Sequence, residues 1–410
     1  MPRAALASRW LARNNRPPES GSAAAASLEV VMTNLFNRSE WALAPDVLHL
    51  NHGSFGAVPK LVRVEQDRWR DVVESNPTGF FSRRLAESLE VVRTCAADFV
   101  HADPLGVVLQ PNVTWAVSTV LASIPLKRGD EVLITDDTYQ AVCIAARDAC
   151  ARTGAQLIQA NLSSRALGDG RQVSDAIEQR LSSRTRLAVI DHITSPTAAL
   201  VDPAQTVEQC HENGTAVLID GAHAPGMLGL DVAQSGADFY AGNFHKWCCA
   251  PRGAAFLAVA PEWRGRLLSP VPGSEADEGF PSGLEWWGTM EYSALLATPS
   301  ALDMLVDIGV DRLRERNAHL VNTGAAIISR ALGQDPPDAS MLSMVALELP
   351  PRMSSDAVSA RALRERISAE LRAEVMITVA RGRSVLRLSA QAYNREEDYE
   401  QLATYLAALS

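Results

Sequence analysis

Short runs of β-branched and aliphatic residues alternate along this chain with segments in which apolar residues recur every three or four positions. The runs that predict strands in the first two thirds are residues 107–110, 131–135, 156–158, 187–190, 216–219 and 254–257. Helical spacing fills most of the gaps, for example over residues 117–124 and 141–151. This alternation predicts an α/β protein with a mostly parallel sheet and helices on both faces.

The pattern changes near residue 300, where a second, smaller α/β unit is predicted. Its elements are a long helix over residues 301–332, strands near 344–349 and 385–388, and a closing helix over 396–409. Residues 1–33 are rich in Ala, Arg, Ser and Pro and lack the apolar stretch of a secretory signal, so we expect a disordered extension there. We therefore predict this extension, a large domain over residues 34–300 and a small domain over residues 301–410.

The composition is that of an ordinary soluble globular protein. The 410 residues carry a formal net charge of -10, which gives no basic face for nucleic acid. No apolar run reaches the roughly 20 residues that a membrane-spanning helix needs. The six cysteines lie in apolar segments without metal-type CxxC pairs, so we expect reduced thiols, no metal site and a cytoplasmic protein.

Lysine is rare in this chain, because only Lys60, Lys127 and Lys246 occur among 38 Lys and Arg residues. Lys246 lies among apolar side chains where a strand-like segment runs into residues 243–247, and burial there lowers the pKa of an amine. Such a lysine is a nucleophile for an aldehyde, although a lysine that reaches the surface is the simpler alternative. Its neighbours Asn243 and His245 each carry a hydrogen-bond donor suited to phosphate oxygens.

Asp220 follows the predicted strand over residues 216–219. A carboxylate at the end of a buried strand is costly unless it meets a cation, and the ring nitrogen of a pyridinium is such a cation. A helix cap is the structural alternative for this residue. His223, three positions later, could bond the phenolic oxygen of the same ring or could be a satisfied core histidine.

Two further strand ends carry residues that suit a phosphorylated aromatic cofactor. Residues 110–115 join a strand to a helix, and the start of a helix attracts anions, with Thr114 close to the cap. Tyr139 follows the strand over residues 131–135 and could stack on an aromatic ring. Each feature alone is also explained by capping or packing, but their conjunction with Asp220 and Lys246 predicts pyridoxal 5'-phosphate (PLP).

The same residues resemble the PLP-dependent enzymes of the class V aminotransferase fold, and within them the isopenicillin N epimerase-like branch. The resemblance covers about residues 48–408. Its motifs are LNHGSFG at 50–56, DGAHAPG at 220–226, GNFHKW at 242–247, WGT at 287–289 and LRLSAQ at 386–391. Many class V relatives have Ser where this chain has Asn243 and His where it has Tyr139. The resemblance implies fold type I, with a mostly parallel seven-stranded sheet in the large domain.

The resemblance also implies roles for single residues. Lys246 would carry the cofactor as a Schiff base, and Asp220 and Tyr139 complete the catalytic set. The implied cofactor-binding residues are Asn112, Val113, Thr114, Tyr139, Ser195, Asp220, His223, Asn243, His245, Lys246 and Thr289. The implied substrate-binding residues are Arg387, Asn51, Ser54 and Phe55, which places the segment over residues 34–60 at the active site. Thr289 would reach the phosphate of a neighbouring subunit, so a homodimer is expected.

The branch favours β-elimination, in which one base removes the α-proton of a cysteine S-conjugate or sulfoxide and sulfur leaves. Such C-S lyases belong to ergothioneine and lincosamide pathways, which suggests secondary metabolism or antibiotic biosynthesis. Epimerisation of the isopenicillin N type, decarboxylation coupled to oxidative deamination, and transamination are the alternatives. No cysteine follows Cys249, which disfavours desulfuration through a cysteine nucleophile. A nucleotide-binding protein is disfavoured because no GxGxxG or GxxxxGK[ST] turn follows a strand.

Overall fold

The computed structural model describes residues 36–162, 170 and 172–409; the extension predicted over residues 1–33 lies outside this part. The described strands are β1 (Leu48–His49), β2 (Val107–Gln110), β3 (Glu131–Thr135), β4 (Gln156–Ala160), β5 (Thr185–Asp191), β6 (Ala216–Gly221), β7 (Phe239–Asn243), β8 (Ala255–Val259), β9 (Met344–Glu348), β10 (Ala373–Glu374), β11 (Met376–Ala380) and β12 (Arg383–Ser389). Every strand predicted from the alternating runs is present.

The described α-helices of seven residues or more are Lys60–Ser75, Leu85–Val100, Val113–Ser123, Gln140–Thr153, Gln172–Glu178, Ala204–Glu212, Thr298–Ile308, Val310–Ala331, Ala357–Leu371 and Glu396–Leu409. The single helix predicted over residues 301–332 is wrong. Gly309, with φ of 84°, ends one helix and starts the next, and the chain bends there by 78°. Glycine reaches this positive φ without the steric cost that a side chain imposes.

Strands β2 to β8 form one seven-stranded sheet in the order β2-β8-β7-β6-β5-β3-β4. β8 is antiparallel to both of its neighbours, and the remaining pairs are parallel, which confirms the predicted mostly parallel sheet. Strands β2, β3, β7 and β8 are buried along their whole length. They read as continuous apolar runs because helices cover both faces of the sheet.

Apolar cores on the two faces hold this sheet between its helices. Helices Val113–Ser123 and Gln140–Thr153 bury their apolar side chains against one face, and Leu85–Val100 and Thr298–Ile308 cover the other. The carboxyl ends of the parallel strands therefore open at a single edge, where ligands bind in sheets of this kind.

The C-terminal part has its own three-stranded antiparallel sheet, in the order β11-β12-β9. Its core includes Leu320, Leu347 and Leu388, and Leu50 from the N-terminal segment joins it. β1 pairs in parallel with β10, so the N-terminal segment is attached to the C-terminal part.

Among the described residues, no individual helix has the length and apolar character to cross a membrane. The bent pair Ser293–Ile308 and Val310–Ala331 is long and apolar enough only when its two helices are counted together.

Candidate active site

A cavity of about 900 Å³ opens at the carboxyl edge of the large sheet. Predicted site residues that line it are Asn51, Ser54, Phe55, Asn112, Val113, Thr114, Tyr139, Ser195, Asp220, His223, Asn243, His245 and Lys246. Arg387 lies directly behind the lining and bonds to three of these residues. Thr289 is exposed and does not line the cavity of its own chain. The cavity therefore brings together side chains from distant parts of the sequence.

The backbone that carries Lys246 is held by the N-terminal segment. His52 is fully buried, and its Nε2–H donates to the Lys246 carbonyl at 3.0 Å while its Nδ1 accepts from the Tyr393 hydroxyl at 3.0 Å. Gly56 packs so closely that an added Cβ would lie 2.6 Å from the His245 carbonyl oxygen and 2.9 Å from that of Lys246. These contacts fix the loop between β7 and β8 from which the amine projects.

The Lys246 amine has lost much of its affinity for a proton. Burial lowers the pKa of this amine to about 8, and the nearby Asp220 charge offsets part of that shift. Its Nζ lies 3.1 Å from His223 Nε2. The Trp247 indole N–H donates to His223 Nδ1 at 3.3 Å, so the neutral imidazole carries its hydrogen on Nε2 and points it at the lysine. This arrangement favours an unprotonated amine, which accepts that hydrogen bond.

Asp220 is the last residue but one of β6 and lines the same cavity as Lys246. Its Oδ1 accepts the Ala222 backbone N–H at 3.0 Å. Burial raises the pKa of this carboxyl, and both the Ala222 hydrogen bond and the Lys246 charge work in the opposite direction. Within the described chain the two residues form no direct ion pair, so the carboxylate remains open to a cation placed between them.

Another part of the cavity lining suits an anion. Helix Val113–Ser123 begins there, and Asn112 caps it by accepting the Trp115 N–H at 2.9 Å. Asn243 Oδ1 accepts the Val113 N–H at 3.1 Å, which leaves the Asn243 amide NH2 as its remaining donor.

His245 also lines the cavity. His245 Nδ1–H donates to the Ala254 carbonyl at 3.0 Å, and burial lowers the pKa of the ring to about 4. The neutral ring therefore presents a lone pair at Nε2, and it donates to an anion only when protonated.

Arg387 is a buried cation whose hydrogen bonds go to neutral oxygens. The side chain projects from β12 and the residue is 1% exposed. Nη1 donates to the Ser195 carbonyl at 2.6 Å and to Ser195 Oγ at 3.0 Å, while Nη2 donates to Ser54 Oγ at 2.7 Å and Asn51 Oδ1 at 3.2 Å. Arg387 Nε has no hydrogen-bond partner in the described part of the chain. A guanidinium held this way suits a ligand carboxylate.

The residues that line the cavity fall into a buried group and a more exposed group. We call Asp191, Asp220, His223 and Asn243, together with the Lys246 amine, the cavity floor. We call His49, Phe55, Arg364 and Glu374 the cavity mouth. Floor side chains are buried at strand ends, whereas Phe55 is 72% exposed. Tyr139 is 47% exposed, directly precedes helix Gln140–Thr153 and lies close enough to Arg387 to affect its pKa.

Sequence reasoning missed two residues of this site. Asp191 ends β5 in register with Asp220 and lines the floor. Its position after the apolar run of residues 187–190 is the same strand-end signal that identified Asp220. His52 lies inside the LNHGSFG motif, but its contact with Lys246 joins two distant segments and leaves no local signal.

Comparison with known proteins agrees with this geometry. The sequence model of the family Aminotransferase class-V matches residues 67–402. The chain belongs to the class V aminotransferase family. Isopenicillin N epimerase of Streptomyces clavuligerus is 32% identical over 396 residues, covering 91% of this chain and 97% of that one. Putative L-cysteine desulfhydrase 2 of Oryza sativa subsp. japonica is 31% identical over 436 residues, covering 96% of this chain and 90% of that one.

The fold is shared with solved enzymes of lower identity. A C-DES variant, solved with glycine covalently linked to its PLP cofactor, superposes with a TM-score of 0.76 and 20% identity over 90% of this chain and 99% of that one. The predicted fold type and the isopenicillin N epimerase-like branch are thereby confirmed. The family uses PLP, which confirms the predicted cofactor.

The residues present in this chain fit that cofactor. The open carboxylate of Asp220 suits the ring nitrogen, the start of helix Val113–Ser123 with Thr114 suits the phosphate, and the amine of Lys246 suits the aldehyde. The individual roles of these side chains stay predictions.

Proposed function

We propose that this enzyme cleaves the C-S bond of a cysteine S-conjugate or its sulfoxide by β-elimination. The observation that carries the proposal is the buried Lys246 amine, which has a pKa of about 8 and receives the Nε2–H of His223 at 3.1 Å. An amine in this state is both a nucleophile for the cofactor aldehyde and a base for the α-proton.

Each step of the proposal assigns a task to a residue of this chain. When bound, PLP withdraws electrons from the substrate α-carbon and so makes the α-proton acidic. Arg387 binds the α-carboxylate and fixes the orientation of the substrate, with Asn51, Ser54 and Ser195 holding the guanidinium. Lys246 Nζ takes the α-proton. The electron pair left at the α-carbon then expels sulfur from the β-carbon.

Elimination is preferred because this one base is sufficient. The substrate divides into a thiol or sulfenate and an aminoacrylate, which water converts to pyruvate and ammonia, so no external oxidant or reductant is needed. Epimerisation, the activity that the Streptomyces relative is named for, needs a second proton donor on the opposite face of the α-carbon. The rice relative is named as a desulfhydrase of L-cysteine, an activity that the same elimination would produce.

A cysteine nucleophile is not part of the proposal. No cysteine lines the described cavity, and Cys249, the nearest one to Lys246 apart from Cys248, is buried. Burial raises the pKa of the Cys249 thiol far above the neutral range. A thiol in that state is a poor sulfur acceptor.

The test is to incubate the PLP-loaded protein with a panel of cysteine S-conjugates, their sulfoxides and simple amino acids, and to identify products by mass spectrometry. We expect equimolar pyruvate and ammonia together with the thiol or sulfenate. Recovery of inverted amino acid alone would identify an epimerase. Keto acid from unsubstituted amino acids would identify an aminotransferase, and loss of CO2 would identify the decarboxylating alternative.

We also propose that the active unit is a cytoplasmic homodimer in which Thr289 serves the partner's cavity. Thr289 is exposed and lies away from its own cavity, in a loop next to Trp286 and Trp287. Mixing the inactive variants K246A and T289A tests this arrangement. Activity should return on mixing, because the T289A subunit keeps its own Lys246 and receives an intact Thr289 from its partner. Without recovery on subunit exchange, Thr289 does not act across a subunit boundary.

A further inference from the structure

Asp191 is the last residue of β5, and Asp220 is the last but one of β6. The two strands are parallel and pair these residues in register, so both carboxyl groups leave the same face of the sheet at its carboxyl edge. Adjacent strands lie roughly 5 Å apart, which brings the two acids side by side. Both side chains are buried and both line the cavity. Two carboxyl groups in this position cannot both be ionised without a large cost.

The surroundings of the two acids differ. Asp220 accepts the Ala222 N–H and lies near the Lys246 amine, and both contacts favour its anion. Asp191 lies near Asp220 and near Asp137, and these negative neighbours add to burial, so that the pKa of Asp191 lies well above its usual range. The Thr138 hydroxyl offsets this effect in part.

The other titratable groups around Asp191 do not bring its pKa back down to the usual range. Asp137 is committed to a buried ion pair, in which Arg381 Nη2 donates to its Oδ2 at 2.7 Å. Cys143 faces Asp191 from helix Gln140–Thr153, and burial raises the pKa of its thiol, so it stays neutral. The titratable groups that face the pair are thus Asp137, Cys143, Tyr240 on the Asp220 side, and Lys246.

Asp191 also has an oxygen without a hydrogen-bond partner. Its Oδ2 is buried and unpaired within the described residues. A buried carboxylate oxygen that lacks a donor is costly, whereas a protonated oxygen is itself a donor and needs only an acceptor nearby. The Asp220 carboxylate, its neighbour in register, is such an acceptor.

We propose that Asp191 is a positioning residue that holds a proton and acts with Asp220 as one acid pair carrying a single negative charge. This rests on the proposed function in one respect, because that charge is the one we assign to the PLP ring nitrogen. The proton stays on Asp191 Oδ2, and Asp220 remains the anion. The pair then offers one negative charge to one positive ring, and Asp191 keeps the Asp220 carboxylate in place.

The first test uses the cofactor-free protein and does not depend on catalysis. A carboxyl with a raised pKa keeps in the folded state a proton that the unfolded chain releases above about pH 4. Wild-type stability therefore falls as pH rises, and D191N removes that loss. We expect the melting temperature of D191N to exceed that of wild type by at least about 2 °C at pH 8, with the gap closing toward pH 5.

The matched control is D137N, which deletes a carboxylate that is paired with Arg381. It should lower the melting temperature at both pH values. If D191N melts below wild type at pH 8, Asp191 is ionised and the acid-pair proposal is wrong. Equal melting of D191N and wild type at both pH values would overturn it as well.

The second test reads the charge from the bound cofactor. In the PLP-loaded protein, the pH midpoint of the visible absorption change should stay within about 0.3 units in D191N, since a neutral group replaces a neutral group. D220N removes the anion that we assign to the ring nitrogen and should shift the midpoint by about one unit or more. A shift in D191N as large as that in D220N would contradict the proposal. Failure of wild type to form any visible band would instead defeat the proposed function and leave the melting result intact.

Discussion

The cavity floor and the cavity mouth are built from different parts of the molecule. Floor side chains lie at or just after the ends of strands in the large sheet, where burial and neighbouring charges shift the pKa of Lys246, Asp191 and Asp220. The mouth is formed by β1, β10 and the residues beside them. His49 Nε2–H donates to the Phe55 carbonyl at 3.3 Å, and the mouth faces solvent. Under the proposed function, we therefore expect the sheet to set the chemistry and the more exposed segments to govern substrate selection.

The largest effect should come from removing the floor amine. K246A deletes the nucleophile and base, so we expect turnover to fall by at least about a thousandfold and the visible PLP band to disappear. The control is K127A, because Lys127 is exposed and distant from the cavity. Absorption spectra and product assays check both variants. An unchanged visible band in K246A would contradict the assignment of this lysine.

The next largest effect should come from Arg387, which joins Ser195 to the N-terminal segment. R387A leaves a ligand carboxylate without its partner, and loss of about 2–5 kcal/mol of binding corresponds to a rise in KM of at least about thirtyfold. R387K keeps the positive charge but lacks the planar pair of donors, so it should recover only part of the lost substrate binding. Steady-state kinetics with an amino acid and with its amine lacking the carboxylate would separate this role from a structural one. Equal losses for both substrates would argue against carboxylate binding.

A smaller effect is expected where the segment that leads to the mouth packs on the Lys246 loop. G56A adds a Cβ only 2.6 Å from the His245 carbonyl oxygen, so the loop must shift. We expect a loss of about 1–3 kcal/mol in the free energy of unfolding and weaker PLP retention. G265A is the control, since nothing lies within 4 Å of the Cβ that it adds. Chemical denaturation of both variants gives the comparison, and equal stability would show that the close packing is not required.

The pH dependence of cofactor uptake should report the floor amine directly. The unprotonated form of Lys246 attacks the PLP aldehyde, so the uptake rate should rise with pH through a midpoint near 8. D220N removes a charge that raises this pKa and should move the midpoint lower. Stopped-flow absorbance on the cofactor-free protein measures both curves. A midpoint near that of a free lysine would show that the amine is not desolvated.

The smallest effect should come from the mouth. Phe55 is 72% exposed, so F55A should change the free energy of unfolding by no more than about 0.5 kcal/mol. Its ring can contact a substrate side chain without affecting the α-carbon. We therefore expect a change in the ratio of kcat/KM between large and small S-conjugates and little change for the smallest. A uniform loss for all substrates would place Phe55 in the chemistry instead of selection.

The sequence predicted the floor better than the mouth for a physical reason. Asp220 follows an apolar run and Lys246 lies among apolar side chains, and a charge in such a place is costly enough to indicate a function. The same rule applied to Asp191 would have found it. Arg387 was assigned through the family resemblance, because a strand arginine gives no sign of which oxygens it meets.

The remaining differences between the predicted and the observed fold arise from contacts between distant segments and from one backbone position. β1 and β10 have two residues each and pair across most of the chain, so no local pattern predicts them. Gly309 lies within a segment of helical spacing, and many helices tolerate a lone glycine. The sequence pattern therefore did not predict the 78° bend.

The pairing of β1 with β10 also has a consequence for how the protein is made. Residues 48 and 49 leave the ribosome early, while their partners at 373 and 374 follow more than three hundred residues later. Contacts of such high sequence separation close late and slow the folding of a chain. The entrance to the candidate active site is therefore completed only after residues 373 and 374 have been made, so a nascent chain can build its large sheet before this entrance forms.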